Sequence, residues 1–327
     1  MAVPDAKITA FDANHLRSLV WDGDDLVDWA GGGVRYMLAG QKTPQSRRYA
    51  YDFDSAVADQ GDAVIFARSH TKGLVLHAGE ILREIDRSFY CANAFDYPVA
   101  IFRLPDGRSA LAHCPHGSGQ LDIDDFLTGK SLTTSESRKR CDNFHGRLAA
   151  SPDGRYLLSA GWAWQPYDSI LVFDIEQALA DPSHLDSEGI LPALWSEMGA
   201  SAVFNRDGRL IVGINIDGVD RGSAEHTSLS VFDIATRSAI SEVASHGPIG
   251  RLMPVGSGHV LNLHDYPRLL NLVTGEVVKV WPDINCDTQI SATRAADSPF
   301  AHVAIDVENH RCAIGFGDRI TLMQFEA

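Results

Sequence analysis

One pattern is written twice in this chain, and it restricts the fold more than any other feature. Residues 148–151 are apolar or small, Pro152-Asp153-Gly154 forms a turn, residues 156–160 are apolar, and 170–175 are β-branched and aromatic. Each turn residue has its own physical part: Pro presets φ, Asp bonds its own backbone, and Gly accepts a positive φ. The flanking segments read as short strands. The same order returns from Val203 through Asp207-Gly208 to Gly213, and the tetrapeptide Val-Phe-Asp-Ile occurs at both 172 and 231. A unit of three or four strands cannot bury its own faces, so such units must stack on one another.

The first hairpin turn of each unit can be followed along the chain. Asp22-Gly23-Asp24, Thr71-Lys72-Gly73, Asp106-Gly107, Asp153-Gly154, Asp207-Gly208, Gly256-Ser257-Gly258 and Glu308-Asn309-His310 fit that role. Their mean spacing is roughly 48 residues, the length of a four-stranded propeller blade. The expected strands are 18–21, 26–29, 34–38 and 47–53 in the first unit; 63–69, 74–77, 81–85 and 89–94 in the second; and 99–104, 109–113, 120–123 and 131–134 in the third. The fourth unit is completed by 190–195, the fifth covers 202–243, and the sixth holds 251–254, 259–263, 269–272 and 277–281. The seventh has only 301–306, 311–316 and 320–325, while one strand, 7–11, is left over at the other end. Pairing that strand with the last unit would close the ring and remove its open edges. A register beginning the first blade at Leu26 is the alternative. Helix is expected only over 175–181, ending before Pro182.

The segment Ser151 to Gly161, followed by Asp168-Ser169-Ile170-Leu171-Val172-Phe173-Asp174, resembles the WD40-type or YVTN-like β-propeller repeat. Phe173 stands where the consensus has Trp, and Asp168 sits one residue nearer to it. Phe144-His145-Gly146 and Ser245-His246-Gly247 occupy the place of the Gly-His dipeptide. The resemblance covers about two-thirds of the chain, strongest in the fourth and fifth units, and implies an all-β, seven-bladed propeller. The expectation is a single domain over residues 1–327, with no function specified by the fold itself.

The 327 residues are 45% apolar and carry a net charge of -15. Such a balance argues against a nucleic-acid partner, because affinity for phosphate backbones needs clustered Lys and Arg. The one basic run, Arg138-Lys139-Arg140, is expected to be a solvated loop, as is the acidic cluster Asp22, Asp24, Asp25 and Asp28. No apolar run is long enough to span a bilayer, and the N-terminal residues do not read as a secretory signal. Five widely spaced cysteines without a Cys-x-x-Cys pair fit free thiols in a reducing cytoplasm. A cytoplasmic monomer without a cofactor is expected.

In the resembled family, the loops between second and third strands and those between blades share the top face. The resemblance gathers there His113-Cys114-Pro115-His116, the stretch 162–167, the stretch 215–226 and His264-Asp265-Tyr266-Pro267-Arg268, with His77, His145 and His246 nearby. Two readings follow. The first is a scaffold that binds a protein through this face, with Trp162, Trp164, Tyr167, Tyr266 and Arg268 in contact and 215–226 as an adaptable flank, because Trp and Tyr dominate interface hot spots. The second is a propeller enzyme or binder of a small molecule or metal, using His113, His116, His264 and Asp265, since imidazole and carboxylate suit transition metals. Acid/base work by His145 would belong to it too. No short-range ligand motif supports the second reading, and the Asn215 to Asp220 stretch lacks the closing Glu of a calcium loop. The first reading is preferred, and whether the protein is an enzyme is left open.

Overall fold

A computed structural model describes residues 3–136, 138–164, 167–216, 226–294 and 300–326. Seven small antiparallel sheets form a seven-bladed propeller. The first blade has three strands, Val20–Asp22, Asp25–Asp28 and Val34–Tyr36. The second has four: Ser55–Asp59, Asp62–Phe66, Lys72–His77 and Glu80–Asp86. The third is built from Val99–Arg103, Ser109–His113 and Asp122–Asp125, with only a bridge at Asp124 and Ser131 in the fourth position. In the fourth blade Leu148–Ala150, Tyr156–Ala163, Tyr167–Asp174 and Leu194–Ser196 pair in order, and Asn143–Phe144 pairs with the far end of the second strand. The fifth and sixth run Ala200–Phe204 to Ser238–Ser245 and Arg251–Val255 to Val277–Val280.

The seventh blade closes the ring as expected. His302–Asp306, Arg311–Phe316 and Arg319–Phe325 are joined by Ala6–Asp12, paired from Ala6 opposite Phe325 to Asp12 opposite Arg319. The expected short helix forms over Ile175–Ala180, its first turn capped by the Asp174 carboxylate on the Gln177 N–H.

Apolar side chains on both faces of the inner strands explain the packing. Every residue of Asp62–Phe66 and of Ser109–His113 is buried, whereas the outer strand Ser238–Ser245 is mostly exposed. Each pair of neighbouring blades encloses its own core: Leu157 and Phe173 meet Phe102 and Ile123 between the third and fourth, and Trp281 meets Phe325 between the sixth and seventh. One further cluster lies on the top face, where Phe95, Phe144, Trp162 and Ala292 come together. Among the described residues no helix is long and apolar enough to cross a membrane.

Several expectations need correction. In the second blade the first hairpin turns at Gln60-Gly61, both at positive φ, and not at Thr71-Lys72-Gly73. The expected strands were therefore one place late, and 89–94 is a loop. Residues 47–53 form no strand: the Arg47 amide bonds the Gly32 carbonyl beside that of Ser46, and the Phe53 amide turns back to the Tyr51 carbonyl. Residues 131–134 reduce to one bridge. Arg138 is not solvated; its side chain is 3% exposed, between Asp122 and Asp186 at 2.9 and 2.8 Å. Asp28 is also buried and accepts from the Arg17, Ser18 and Gly31 amides at 3.0, 2.8 and 2.7 Å. Burial pushes its carboxyl pKa up.

Candidate functional site

The connection between the sixth and seventh blades leaves the ring and crosses the top of the central channel. Ser291 Oγ and the Ala292 amide donate to the Asp168 carboxylate of the fourth blade at 2.7 and 2.8 Å. The Ala200 amide, opening the fifth blade, donates to it at 2.9 Å. Thr293 then bridges to Phe95, and the Arg294 amide donates to the Ala94 carbonyl. A strap thus joins four blades. Gly199, at φ +117, permits its passage, because a Cβ there would overlap the Ile290 carbonyl.

Under the strap lies a chamber of about 600 Å³. Its rim residues sit just ahead of, or at the start of, the innermost strands: Asp96 before Val99–Arg103, Arg147 before Leu148–Ala150, Arg251 opening Arg251–Val255, and His302 opening His302–Asp306. Arg68, from the turn between Asp62–Phe66 and Lys72–His77, faces Asp96 at 3.4 Å and holds its guanidinium over the Phe300 ring at 3.2 Å. Burial alone would raise the Asp96 carboxyl pKa; Arg68, Arg294, Arg147 and Arg251 together hold it below the usual range. Burial, aided by Arg68 and Arg251, lowers the His302 pKa to about 4, so its ring is neutral at pH 7. Arg147 reaches Asp168 at 3.4 Å and the Ala200 carbonyl at 2.7 Å.

The loop before the third blade is held from below by Arg87. This buried guanidinium donates to the carbonyls of Arg68, His70, Ala92, Phe95 and Asp96. Above that anchor the loop presents Phe89 and Tyr90 to solvent, 86% and 55% exposed. Tyr90 stacks on Phe144 at 5.9 Å, Phe144 stacks on Trp162 at 4.2 Å, and Trp164 stands edge-on to Trp162 at 5.6 Å and to Tyr90 at 6.4 Å. Trp164 is 56% exposed. The result is an aromatic step: an exposed tier of Phe89, Tyr90 and Trp164 beside a buried tier of Phe95, Phe144 and Trp162.

The predicted residues are therefore separated. Trp162 is 4% exposed and acts as the platform under Trp164. Tyr167 is half-buried and hydrogen-bonds Glu197, which raises its pKa. Tyr266 and Arg268 lie in the sixth blade, apart from the aromatic step; Arg268 is tied to the Pro248 carbonyl and lies 5.9 Å from the Tyr266 ring. The histidines do not converge. His113 is buried against Asp124 at 2.9 Å, His116 is exposed 4.0 Å from Asp122, and His264, beside Asp265, belongs to the sixth blade.

His145 is fully buried, bonds Ser159 Oγ at 3.0 Å, and is pushed down to about 4 by desolvation and the Arg138 charge. His246 is exposed. His77 lies at the opposite end of its blade with Asp62, a consequence of the register shift. Among the described residues no group of three His, Cys, Asp or Glu is placed to hold a metal ion. The stretch 217–225 lies outside the described residues.

The arginine rim and the Phe89-Tyr90 pair were not singled out from sequence. The signal that would have found Asp96, Arg147, Arg251 and His302 is positional: each stands at or just before the first strand of a blade, where side chains face the channel mouth.

No family model matches the chain, and no curated protein matches it. Solved structures share its fold at low identity. The Swd1 (Cps50) β-propeller domain of Myceliophteria thermophila superposes with a TM-score of 0.58 at 11% identity, covering 98% of this chain and 99% of that one. Virginiamycin B lyase of Staphylococcus aureus gives 0.56 at 12%, covering 98% and 99%. BamB of Moraxella catarrhalis gives 0.53 at 14%, covering 99% and 98%. The protein is a seven-bladed β-propeller of the architecture expected from its repeats. A lyase stands among these neighbours, so the likeness carries the fold and leaves function to the site.

Proposed function

We propose that the protein is a propeller scaffold that binds a protein partner through the aromatic step at the top-face rim. One observation carries this reading: Phe89, Tyr90 and Trp164 are more than half exposed while the rings beneath two of them are buried and stacked. Exposed apolar groups gathered in one place mark interaction sites more often than scattered ones do. Because Tyr90 and Trp164 are already held by Phe144 and Trp162, little rotamer freedom is lost on contact. That saving is about 0.5–1.5 kcal/mol for each side chain that needs no ordering.

The partner is a basic protein. A chain of net charge -15 speeds encounter with a cationic surface, and Lys or Arg side chains can sit on exposed Trp and Tyr faces. Tyr167 flanks the step, and a partner broad enough to span the face would also meet Tyr266 and Arg268. Nucleic acid and membrane are not part of this reading. The five free cysteines, three of them buried, support a cytoplasmic setting, and the closed ring supports a monomer.

The test compares wild type with a Tyr90→Ser/Trp164→Ser double variant as immobilised baits, using quantitative mass spectrometry of what each retains. A basic protein should be retained by wild type at least about tenfold more, equivalent to about 1.4 kcal/mol. Its retention should fall as salt is raised. Identical profiles from two folded baits would refute the reading.

A further inference from the structure

The geometry points to a second site, independent of the aromatic step: the chamber under the strap binds a small organic carboxylate, with its head on Arg251, Arg68 and Arg147 and its apolar body in the channel. The pairing of charges is the first argument. Among the described residues four guanidiniums, of Arg68, Arg147, Arg251 and Arg294, gather at or beside the chamber mouth with four carboxylates, of Asp54, Asp96, Asp168 and Asp287. Three of the carboxylates are engaged by backbone: Asp54 accepts from the Arg68 amide at 2.8 Å, Asp168 from the Ala200 and Ala292 amides, and Asp287 from those of Gln289 and Ala301 at 3.2 and 3.4 Å. His302 is neutral. One guanidinium is left without a direct partner.

It is that of Arg251. Its side chain makes no ion pair or hydrogen bond to a described residue, yet it is close enough to Arg68, Arg147, Asp96 and His302 to shift all four. A partly buried guanidinium set among other guanidiniums destabilises the fold unless an anion joins it. Two polar atoms of the same wall lack partners as well: the buried Ser201 Oγ and Tyr97 hydroxyl have no hydrogen-bond partner among the described residues.

The chamber's shape supplies the rest of the chemistry. The innermost strands line it with Ala56, Ala58, Ala100, Ala149, Ala202 and Ala304, so the channel stays open where larger side chains would fill it. A volume of about 600 Å³ lined by both apolar and polar groups is within the size range of small-molecule sites. The fork of a guanidinium matches a carboxylate in bidentate geometry, and the one guanidinium without a direct partner is free to take one such head.

The probe is 4-(trifluoromethyl)benzoate, followed by fluorine NMR line broadening with the full chain, beside its neutral amide. The benzoate should broaden and the amide should not. Arg251→Met should weaken benzoate binding at least about tenfold while leaving the melting temperature of the unliganded protein equal or higher. Arg206→Met, on an exposed turn at the opposite end of the channel, should change neither. Arg251→Lys, which keeps the charge without the fork, serves if the Met variant does not fold, and should show a smaller loss. Equal broadening of acid and amide, no broadening of the acid at millimolar concentration, or unchanged benzoate binding in a folded Arg251→Met protein would overturn the assignment.

Discussion

Replacing Asp168 by Ala should uncouple the strap from the ring. This carboxylate, 1% exposed as a residue, accepts from the Ala200 and Ala292 amides and from Ser291 Oγ, and faces Arg147. Ala200 and Ala292 are themselves buried, so both N–H groups lose their partner without gaining water. Each such orphan costs about 1–3 kcal/mol. Ser291 Oγ retains its contact with Thr293 Oγ1 at 3.0 Å and adds little, while Arg147 retains the Ala160 and Ala200 carbonyls but loses its ion pair with Asp168, which adds to the cost.

The expected loss is about 4 kcal/mol for Asp168→Ala. For Asp168→Asn it is about 1–2 kcal/mol, since one amide oxygen can still accept from both backbone donors. Urea titration followed by circular dichroism would give the two losses, and hydrogen-exchange mass spectrometry would place them. Faster exchange should appear at residues 287–294 and at the start of the fifth blade before it appears elsewhere. An Asp168→Ala protein within about 1 kcal/mol of wild type, or a loss of protection confined to other blades, would refute the reasoning.

The two tryptophans of one hairpin should behave oppositely. Trp162→Ala removes a ring stacked on Phe144 and edge-on to Phe95 and should lower stability by about 3–5 kcal/mol in denaturant titration, whereas Trp164→Ala should cost under about 1 kcal/mol; equal losses would contradict the tiered arrangement. Acidification should destabilise the protein through His145 and His302. Both are held near pKa 4 against an ordinary value of 6.5, so the unfolded chain takes up protons first. Stability is then complete above about pH 6.5 and lost as pH falls toward 4, by roughly 3 kcal/mol for the fully buried His145. Urea midpoints across that range measure it, and a flat profile or a His145 ring titrating near 6.5 by NMR would count against it.

Much of the fold is written locally and could be read there. Six of the seven first-hairpin turns announce themselves by Asp-Gly, Gly-Ser-Gly or Asn-His at positions that need a turn, and Gly23, Gly107, Gly154, Gly208, Gly256 and His310 have positive φ there. The seventh, Gln60-Gly61, competes with Thr71-Lys72-Gly73, and a blade with two candidate turns offers no local means of ranking them. Choosing the later turn moves one blade by one strand and puts His77 on the wrong face.

The site was less legible. Trp162 and Trp164 are equivalent in composition, and only the neighbouring Phe144 and Phe95 decide that one is buried. The rim arginines come from the second, fourth and sixth blades and from the strap, up to 226 residues apart in the case of Arg68 and Arg294. No local spacing marks them as neighbours. The strap's path across the channel depends on Asp168 meeting Ser291, a contact of tertiary origin.

The claim that the aromatic step is the partner-binding surface is tested most directly by photo-crosslinking in living cells. A benzophenone side chain would be placed at position 164 and, as a control, at position 240, an exposed residue on the outer strand of the fifth blade. The account predicts a discrete adduct with a basic protein from position 164, weakened by Tyr90→Ser, and none from position 240. The same adduct from position 240, or none from position 164 while another surface yields one, would contradict it.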